Sequence, residues 1–335
     1  MAEVTLSEVY EPATFAGLAQ EAQLELNAFI ATGVMITSPV LQGMVSQGGM
    51  TGQLTRFQAL SNPEPNYSTD NSGSSSTPNN IDTEELDFRM AKMNQSWSVM
   101  DFAKELALQD PVAAITNRIG GYWATVEQTR VINACLGLLA DNNANDGSDM
   151  VYSVATDAAT AVTDAERISA TSVMLAAQTM GDHKGSLRAI AMHSAVVTRL
   201  RIQNLIEYVR LSEQGDPIPF YLGYRVIEDD ACPAVAGTNR ITYTCVLFGE
   251  GVFAHADGET EFPSELYRAP AAGDGGGQST LHSRVNRLIH PMGFDWVDNT
   301  RTAPTASYAE LQLAANWSRV YDRKHIPIAF LQVNE

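Results

Sequence analysis

The feature that most constrains the fold is a long polar segment flanked by two strand-like stretches within Thr51 to Met100. On its C-terminal side Leu86, Phe88 and Met90 alternate with other residues, which is the period-two pattern of a half-buried strand. Residues 61–80 are rich in Pro, Ser and Asn and cannot form a core of their own. A two-stranded projection of this length is only marginally stable alone, so we expect a projecting hairpin that a neighbouring subunit covers.

Composition narrows the class of protein. The chain has 335 residues, 44% of them hydrophobic, which is enough for about two domains with buried cores. A net charge of −18 argues against a protein that binds nucleic acid or an anionic membrane through a basic surface. Residues 1–55 contain no Lys or Arg, unlike a secretory or mitochondrial leader. The longest apolar run, Val131 to Ala140, is shorter than the roughly 20 residues that a membrane span needs.

The three cysteines have no CxxC spacing and are odd in number, which predicts buried thiols in a reducing compartment rather than disulfides. They are Cys135, Cys232 and Cys245.

The remaining patterns predict an α+β chain. Asp110 and Pro111 form a helix-start pair for a long helix through about Ala140, in which Gly120 and Gly121 should mark a bend or a close neighbour. Further helices are expected at 165–180, after a Ser194 cap through Val209, and at 309–320. The predicted strands are Leu187 to Met192, Phe220 to Ile227, Ile241 to Ala254, Leu281 to Val297 and Ile326 to Val333.

No pattern predicts catalysis or metal binding. The run from Asp141 to Ser153 lacks the glycine and acid positions of a calcium loop and indicates a solvated turn. The run from Gly273 to Gly277 lacks the Lys and Ser/Thr of a phosphate loop and indicates a linker. Neighbouring Glu228, Asp229 and Asp230 point in alternate directions, so they cannot converge on one substrate. No two of the six histidines have metal-ligand spacing: His183, His193, His255, His282, His290 and His325. We therefore expect no catalytic, cofactor-binding or metal-binding residue, and no cofactor.

The order of these elements resembles the major capsid proteins of tailed bacteriophages, which have the Hong Kong 97 fold. Gly223 to Val226 is similar to the G-x-x-V strand of that family, and Leu247 to Gly258 is similar to the strand that returns toward the shell body. His290 to Val297, HPMGFDWV, is similar to the hP-x-Gf strand of the peripheral domain. The ending AANWSRVYDRKHIPIAFLQVN also resembles that of many coat proteins.

The resemblance implies a Hong Kong 97-like capsid fold in five parts. These are an N-terminal arm at 1–50, an extended β-hairpin loop at 51–92, a long spine helix with the first part of the peripheral domain at 93–182, an axial domain at 183–265, and the rest of the peripheral domain with the C-terminal strand at 266–335.

It also implies a structural protein and not an enzyme. Many copies would form hexamers and pentamers of an icosahedral phage head that encloses double-stranded DNA without binding it specifically or contacting a membrane. Its partners would be a scaffolding protein, a portal and a decoration protein, with assembly in the host cytoplasm and a final place in the virion. The first lysine is Lys92, and the loop tip has none, so we expect a shell without covalent cross-links through the loop.

The first 50 residues suggest how a scaffolding protein could bind. They carry five glutamates and no basic residue, and a basic scaffolding segment would be attracted to them. These glutamates are Glu3, Glu8, Glu11, Glu21 and Glu25.

Two other functions stay open at this stage. The first is the shell of a cellular nanocompartment with the same fold, which would enclose an enzyme instead of DNA. The second is an acidic hydrolase that uses paired carboxylates, with Asp229, Asp230 or Glu250 as candidates. A monomer with a deep pocket would favour the hydrolase.

Overall fold

The computed structural model describes residues 28–46, 49–58, 64–73, 75–76, 78–81, 83–101, 111–210, 217–258 and 260–335, except for the side chains of residues 56, 111–114, 116 and 117. Its helices are α1 Ala28–Ala31, α2 Pro39–Ser46, α3 Pro111–Asn145, α4 Ala170–Gln178, α5 Ser194–Ile202 and α6 Tyr308–Leu311. The first eight strands are β1 Met35–Thr37, β2 Thr51–Phe57, β3 Thr83–Met100, β4 Val151–Ser153, β5 Leu187–Met192, β6 Glu207–Val209, β7 Ile218–Tyr221 and β8 Tyr224–Glu228. The others are β9 Ala234–Ala236, β10 Ile241–Gly249, β11 Phe253–Gly258, β12 Ser264–Ala269, β13 Gln278–Pro291, β14 Phe294–Trp296, β15 Trp317–Arg319 and β16 Ile328–Asn334.

The predicted hairpin belongs to a six-stranded sheet with the order β1-β11-β13-β3-β2, in which β12 also pairs with β13. Strands β2 and β3 are antiparallel, with Thr51 opposite Arg89 and Phe57 opposite Thr83. Beyond that pairing β3 continues along β13 as far as Met100. The described residues between β2 and β3 form no helix or strand and are all exposed. The alternation predicted for this segment is therefore confirmed, and the hairpin projects from the long strand β3.

A second sheet has eight strands in the order β4-β16-β10-β5-β8-β7-β6, with β9 paired to β10. The C-terminal strand β16 is the second strand in this order, antiparallel to β10 and parallel to the edge strand β4. One face of this sheet packs on α4 and α5 through a cluster that includes Val173, Leu200 and Leu331. The other face shares a core with α3, in which Leu138 and Phe330 are fully buried. The mixed architecture agrees with the predicted α+β class.

The long helix α3 extends beyond its predicted end at Ala140 to Asn145, while the predicted Asp110 cap lies outside the described residues. Of the two alternatives predicted for Gly120 and Gly121, a bend or a close neighbour, the close neighbour is absent at Gly120, where an added Cβ meets nothing within 4 Å. Gly137 has that role instead, since a Cβ there would overlap the Leu311 carbonyl and the Trp317 indole.

The solvated turn predicted after α3 is present, with residues 147–149 exposed, but side-chain contacts anchor it at both ends. The Asn142 side chain is fully buried and accepts a 3.1 Å hydrogen bond from the Met150 amide. Arg319 binds both carboxylate oxygens of Asp149 and lies 3.4 Å from Asp146. These contacts connect the end of the helix to the C-terminal part of the chain.

Three segments predicted as single strands are interrupted by turns. The segment 220–227 turns at Leu222 and Gly223, whose positive φ angles of 52° and 83° produce the β7–β8 hairpin. The segment 241–254 breaks after Gly249, so that β10 and β11 belong to different sheets. The segment 281–297 breaks at Gly293, with φ of 95°, between β13 and β14.

The helix predictions also need correction. The helix predicted at 165–180 begins at Ala170, because Ser169 caps it in a box with Ser172. His193, not Ser194, caps α5, through its Nδ1 atom and the Ala195 amide. This helix ends at Ile202, so Val209 is in a strand and is 44% exposed instead of facing inward.

Two further segments differ from prediction. The region 309–320 contains the short helix α6, a 3₁₀ turn and β15 instead of one helix. The glycine run at 273–277 is a tight connection between β12 and β13, not a linker, and Gly273, Asp274, Gly275 and Gly277 all have positive φ. No helix in the described part of the chain is long and apolar enough to cross a membrane.

Candidate assembly surfaces

The base of the hairpin is fixed to the loop that follows β14. Arg89 donates from Nε to the Pro304 carbonyl at 2.7 Å and pairs with Asp298 at 3.0 Å, and its side chain is 11% exposed. The backbone of Lys92 exchanges two hydrogen bonds with the Thr305 side chain, at 3.0 and 2.9 Å. Strand β3 is therefore held by contacts from beyond its own sheet.

Apolar packing makes the same base rigid. Leu86, Phe88 and Met90 are at most 5% exposed. The Phe88 ring lies over Gly52 of β2, where a Cβ would overlap the ring. Glycine is thus required in β2 for the aromatic ring to lie flat against the strand.

The outer part of the hairpin is exposed, unlike its buried base. Phe57, Tyr67 and Ile81 are 73%, 74% and 59% exposed. Residues 57–88 contain six acidic residues and no Lys or Arg. Large exposed apolar side chains on a projecting element are typical of protein–protein contact sites. A rigid base with an exposed, acidic and partly apolar end is suited to lie across another molecule.

A second exposed apolar surface lies at the β6 end of the eight-stranded sheet. Among the described strands β6 pairs only with β7, so its outer edge is open, and all three of its residues are exposed. Apolar side chains from α5, β6 and the connections beside them surround this edge and are 41–73% exposed: Ile202, Leu205, Tyr208, Val209 and Leu222. An open strand edge with apolar neighbours is a ready site for association.

A buried charged cluster joins α3 to the six-stranded sheet. Glu127 of α3 contacts Arg287 of β13 and lies 3.8 Å from His255 Nε2. Arg287 also pairs with Asp257 at 3.1 Å. Burial lowers the pKa of His255 below its usual value, while the nearby Asp257 acts in the opposite direction. Sequence spacing missed this cluster because its members come from distant parts of the chain.

The charged cluster has metal-ligand atom types but also contains a competing cation. Ligand atoms of Glu127, His255 and Asp257 lie within 4.8 Å of one another, a separation that could hold an ion. However, the Arg287 guanidinium contacts both carboxylates and already supplies the positive charge. We assign it as an ion-pair network.

The acidic residues considered for hydrolysis bind different partners. Glu228 pairs with Arg201 at 2.6 Å. Asp229 accepts a hydrogen bond from the Gln128 amide. Asp230 accepts hydrogen bonds from the side chain and the backbone of Ser194, and mainly the side-chain bond lowers the pKa of Asp230. Glu250 is exposed between β10 and β11. A groove of about 430 Å³ at the hairpin base and another of about 400 Å³ beside Arg284 contain none of the three hydrolase candidates.

The cysteines and tryptophans have structural roles. All three cysteines are buried and free, and burial raises the pKa of each thiol. Trp123 donates a 2.9 Å hydrogen bond to Ser283, and the rings of Trp296 and Trp317 pack edge to face with centroids 5.0 Å apart. These rings connect α3, β13 and the C-terminal segment.

Comparison with solved structures defines the class of fold. The capsid of Ralstonia phage GP4 superposes with a TM-score of 0.58, at 11% identity, over 92% of this chain and 91% of that one. The cyanophage Pam1 capsid gives 0.56, at 10% identity, over 94% and 93%. A Mycobacterium phage Adephagia structure also gives 0.56, at 10% identity, over 98% of both chains. The chain therefore has the Hong Kong 97-like fold of phage capsid proteins.

A sequence relative agrees with this fold. The chain is 29% identical over 331 residues to the major capsid protein of Bacillus phage SPP1, covering 98% of this chain and 97% of that protein. The predicted resemblance to the major capsid proteins of tailed bacteriophages is confirmed. No protein-family model matches the chain.

Proposed function

We propose that this chain is the major structural subunit of an icosahedral phage head that encloses double-stranded DNA. The observation that carries the proposal is the hairpin, which has a rigid base and an exposed apolar end in a chain with a capsid fold. A closed shell repeats a few interfaces, and each copy completes its burial on its neighbours. Such a role is structural and requires no catalytic, cofactor or metal site.

The five-part division of the chain is part of the proposal. The arm would be 1–50, the extended loop 51–92, the spine helix with the first peripheral part 93–182, the axial domain 183–265, and the remaining peripheral part with the C-terminal strand 266–335. The separation of β3 and β13 from β5, β8 and β10 into two sheets supports a peripheral and an axial unit.

Hexamers and pentamers would form through the open β6 edge around a rotation axis, with hairpins lying across adjacent copies. The exposed apolar groups beside β6 support this arrangement. Each contact is heterologous, so the copies close into a ring when the rotation between them permits.

The remaining partners follow from charge and from the proposed role. A scaffolding protein would bind the arm glutamates through a basic segment, and a portal and a decoration protein would complete the head during assembly in the host cytoplasm. The arm glutamates lie outside the described residues, so their role in binding a scaffolding protein is tested by substitution. Replacing Glu3, Glu8 and Glu11 with Gln should slow assembly, most clearly at low salt, and unchanged assembly kinetics would contradict binding of the scaffolding protein at the arm.

The net charge of −18 supports a shell whose inner surface does not bind DNA tightly.

Shortening the hairpin tests the function. Residues 58–82 are replaced by Asn-Gly, which joins Phe57 to Thr83 through a two-residue turn suited to antiparallel strands. We expect unchanged thermal unfolding of the unassembled chain, because the described tip residues are exposed, and loss of shells in negative-stain electron microscopy. The matched control keeps the tip length but scrambles residues 64–81.

The outcomes separate the competing functions. Shells formed by the shortened chain would show that the hairpin is dispensable. A wild-type chain that stays monomeric would contradict a shell role and favour the hydrolase, although its candidates Asp229 and Asp230 bind separate partners. Particles that contain an enzyme instead of DNA would identify a nanocompartment.

A further inference from the structure

Three acidic residues lie at the C-terminal end of α3. Asp141 belongs to the end of the helix, and Asp146 and Asp149 belong to the turn that follows it. The last turn of α3 contains no basic residue. Because the C-terminal end of a helix carries a partial negative charge, carboxylates are unfavourable at this position and a bound cation is favourable.

The nearby basic side chains balance only part of this negative charge. Arg319 binds both carboxylate oxygens of Asp149, and its Nη2 atom lies 3.4 Å from Asp146 Oδ1. Arg323 donates to the Asp149 carbonyl at 3.4 Å and otherwise to neutral acceptors. Three carboxylates therefore face two guanidiniums, and both guanidiniums contact Asp149. One negative charge remains unbalanced, on the side of Asp141 and Asp146.

Two buried oxygen atoms of this group need a partner. Asp141 is 1% exposed, and its Oδ1 atom accepts a 2.7 Å hydrogen bond from the Asn145 side chain. Its Oδ2 atom is buried and accepts no hydrogen bond from the described residues, and the same is true of Asp146 Oδ2. A buried carboxylate oxygen without a partner is costly, so these atoms require either a proton or a cation.

The two carboxylates are close enough to affect each other. Burial raises the pKa of Asp141, the hydrogen bond from Asn145 and the charge of Arg319 oppose this rise, and the negative charge of Asp146 adds to it. A divalent cation bound by both carboxylates would satisfy both oxygen atoms and remove the repulsion between them.

The available ligand atoms favour Ca²⁺. They are all oxygens, from the carboxylates of Asp141 and Asp146 and from main-chain carbonyls at the end of α3, where the last carbonyls of a helix lack helical partners. Ca²⁺ accepts roughly six to eight oxygen ligands in irregular arrangements, whereas Mg²⁺ requires nearly octahedral geometry. A helix end followed by an irregular turn suits the less demanding ion. This arrangement differs from the calcium loop that the sequence spacing excludes.

We propose that Asp141 and Asp146 bind one Ca²⁺ ion at the C-terminal end of α3. The ion would neutralise the buried carboxylates and stabilise the junction between α3 and the C-terminal part of the chain, which Arg319 already contacts. The inference does not depend on the proposed function, since all of these residues belong to one chain.

Isothermal titration calorimetry and thermal unfolding of the full, unassembled chain test the site. The chain is freed of metal with EDTA, dialysed at neutral pH and physiological ionic strength, and titrated with CaCl₂. In the wild type we expect uptake of one Ca²⁺ per chain and a rise of about 2–4 °C in the unfolding midpoint at millimolar CaCl₂. MgCl₂ at the same concentration should raise the midpoint less.

Substitutions locate the ion. Asp141→Asn keeps an acceptor for the Asn145 hydrogen bond but removes the charge of the ligand, so it should bind no Ca²⁺ and its midpoint should not respond. Asp146→Asn makes the corresponding change at a less buried position and should also abolish the response. The control Asp70→Asn removes one charge from the exposed part of the hairpin and should respond as the wild type does.

Three results would overturn the proposal. The first is a wild-type chain that takes up no Ca²⁺, and with a fully stable Asp141→Asn variant it would show that the carboxylates share a proton. The second is an equal rise of the midpoint in the wild type and in both site variants, which would place the effect of Ca²⁺ elsewhere. The third is an equal response to MgCl₂. The wild-type titration and the milder Asp146→Asn variant keep the test decisive if Asp141→Asn does not fold.

Discussion

Gly137 of α3 lies directly against the carbonyl oxygen of Leu311, which also accepts a 2.8 Å hydrogen bond from Trp317 Nε1. The absence of a side chain lets the C-terminal segment approach the helix backbone. Helix α3 and the C-terminal region therefore pack as one unit around this position.

Gly137→Ala should destabilise the chain, because the added methyl group overlaps backbone and an indole that cannot move independently. We expect the free energy of unfolding to fall by about 1–3 kcal/mol in urea denaturation of the unassembled chain. Gly120→Ala is the matched control on the same helix. A Cβ there meets nothing within 4 Å, so this variant should gain up to about 1 kcal/mol from helix propensity. Similar effects at both positions would contradict the packing argument.

Arg240 holds the loop between β4 and α4 in place. Its guanidinium binds Glu166 at 2.7 Å and donates to Thr156 and to the Thr160 and Ala161 carbonyls, with 5% of the side chain exposed. Arg240→Gln leaves these acceptors without their donor, and we expect a loss of about 2–4 kcal/mol in thermal or urea unfolding.

The control is Arg268→Gln, which removes the Arg268–Asp101 pair. The Arg268 side chain is 68% exposed, so this change should cost less than about 1 kcal/mol. If both variants lose the same stability, burial does not determine the contribution of Arg240.

His290 should make the fold sensitive to acid. Its ring is buried beside the Phe294 carbonyl, 2.7 Å from Nε2, and burial lowers its pKa to about 4. The unfolded chain, with a histidine pKa near 6.5, binds the proton more readily, so the stabilisation is complete above that pH and is lost as pH falls toward 4. Between pH 7 and 5 we expect this group to remove about 2 kcal/mol from the free energy of unfolding. His290→Gln should flatten this part of the pH profile, and an unchanged profile would refute the assignment.

The cysteines should be inaccessible in the folded chain. Each thiol is buried and free, and its raised pKa disfavours the reactive thiolate. Ellman's reagent should detect no thiol in the native protein at pH 8 and three after denaturation in guanidinium chloride. Rapid reaction of any thiol without denaturant would show that its surroundings open.

The purified shell should run as a single band near 36.3 kDa on a denaturing gel. The loop tip has no lysine, and the backbone of Lys92 is bonded to Thr305 at the hairpin base. Bands at multiples of the chain mass would reveal covalent links between copies.

The sequence predicts structural features that produce a regular local pattern better than features that depend on contacts between distant segments. The alternation around Phe88 predicted the hairpin. One face of β3 packs on the core, so every second residue is buried and apolar, and this alternation is visible in the sequence. The interruptions at Gly223, Gly249 and Gly293 were missed, because apolar residues on both sides of a tight turn read as one continuous strand. Helix α5 ends before the predicted Val209 because Asn204, with φ of 60°, turns the chain out of the helix.

The charged cluster could not be predicted from spacing. Glu127, His255 and Arg287 come from three distant segments, and only the pairing of β11 with β13 and the packing of α3 bring them together. The exposure of the hairpin tip was predictable from its Pro-, Ser- and Asn-rich composition. The open β6 edge was not, because local pattern does not reveal which strand is last in a sheet.

The position of β16 between β4 and β10 has a consequence for the order in which this sheet forms. The ribosome delivers residues 328–334 after every other strand of the eight-stranded sheet, yet they separate β4 from β10. Until they emerge from the exit tunnel, the two flanking parts have no shared partner and this sheet remains incomplete.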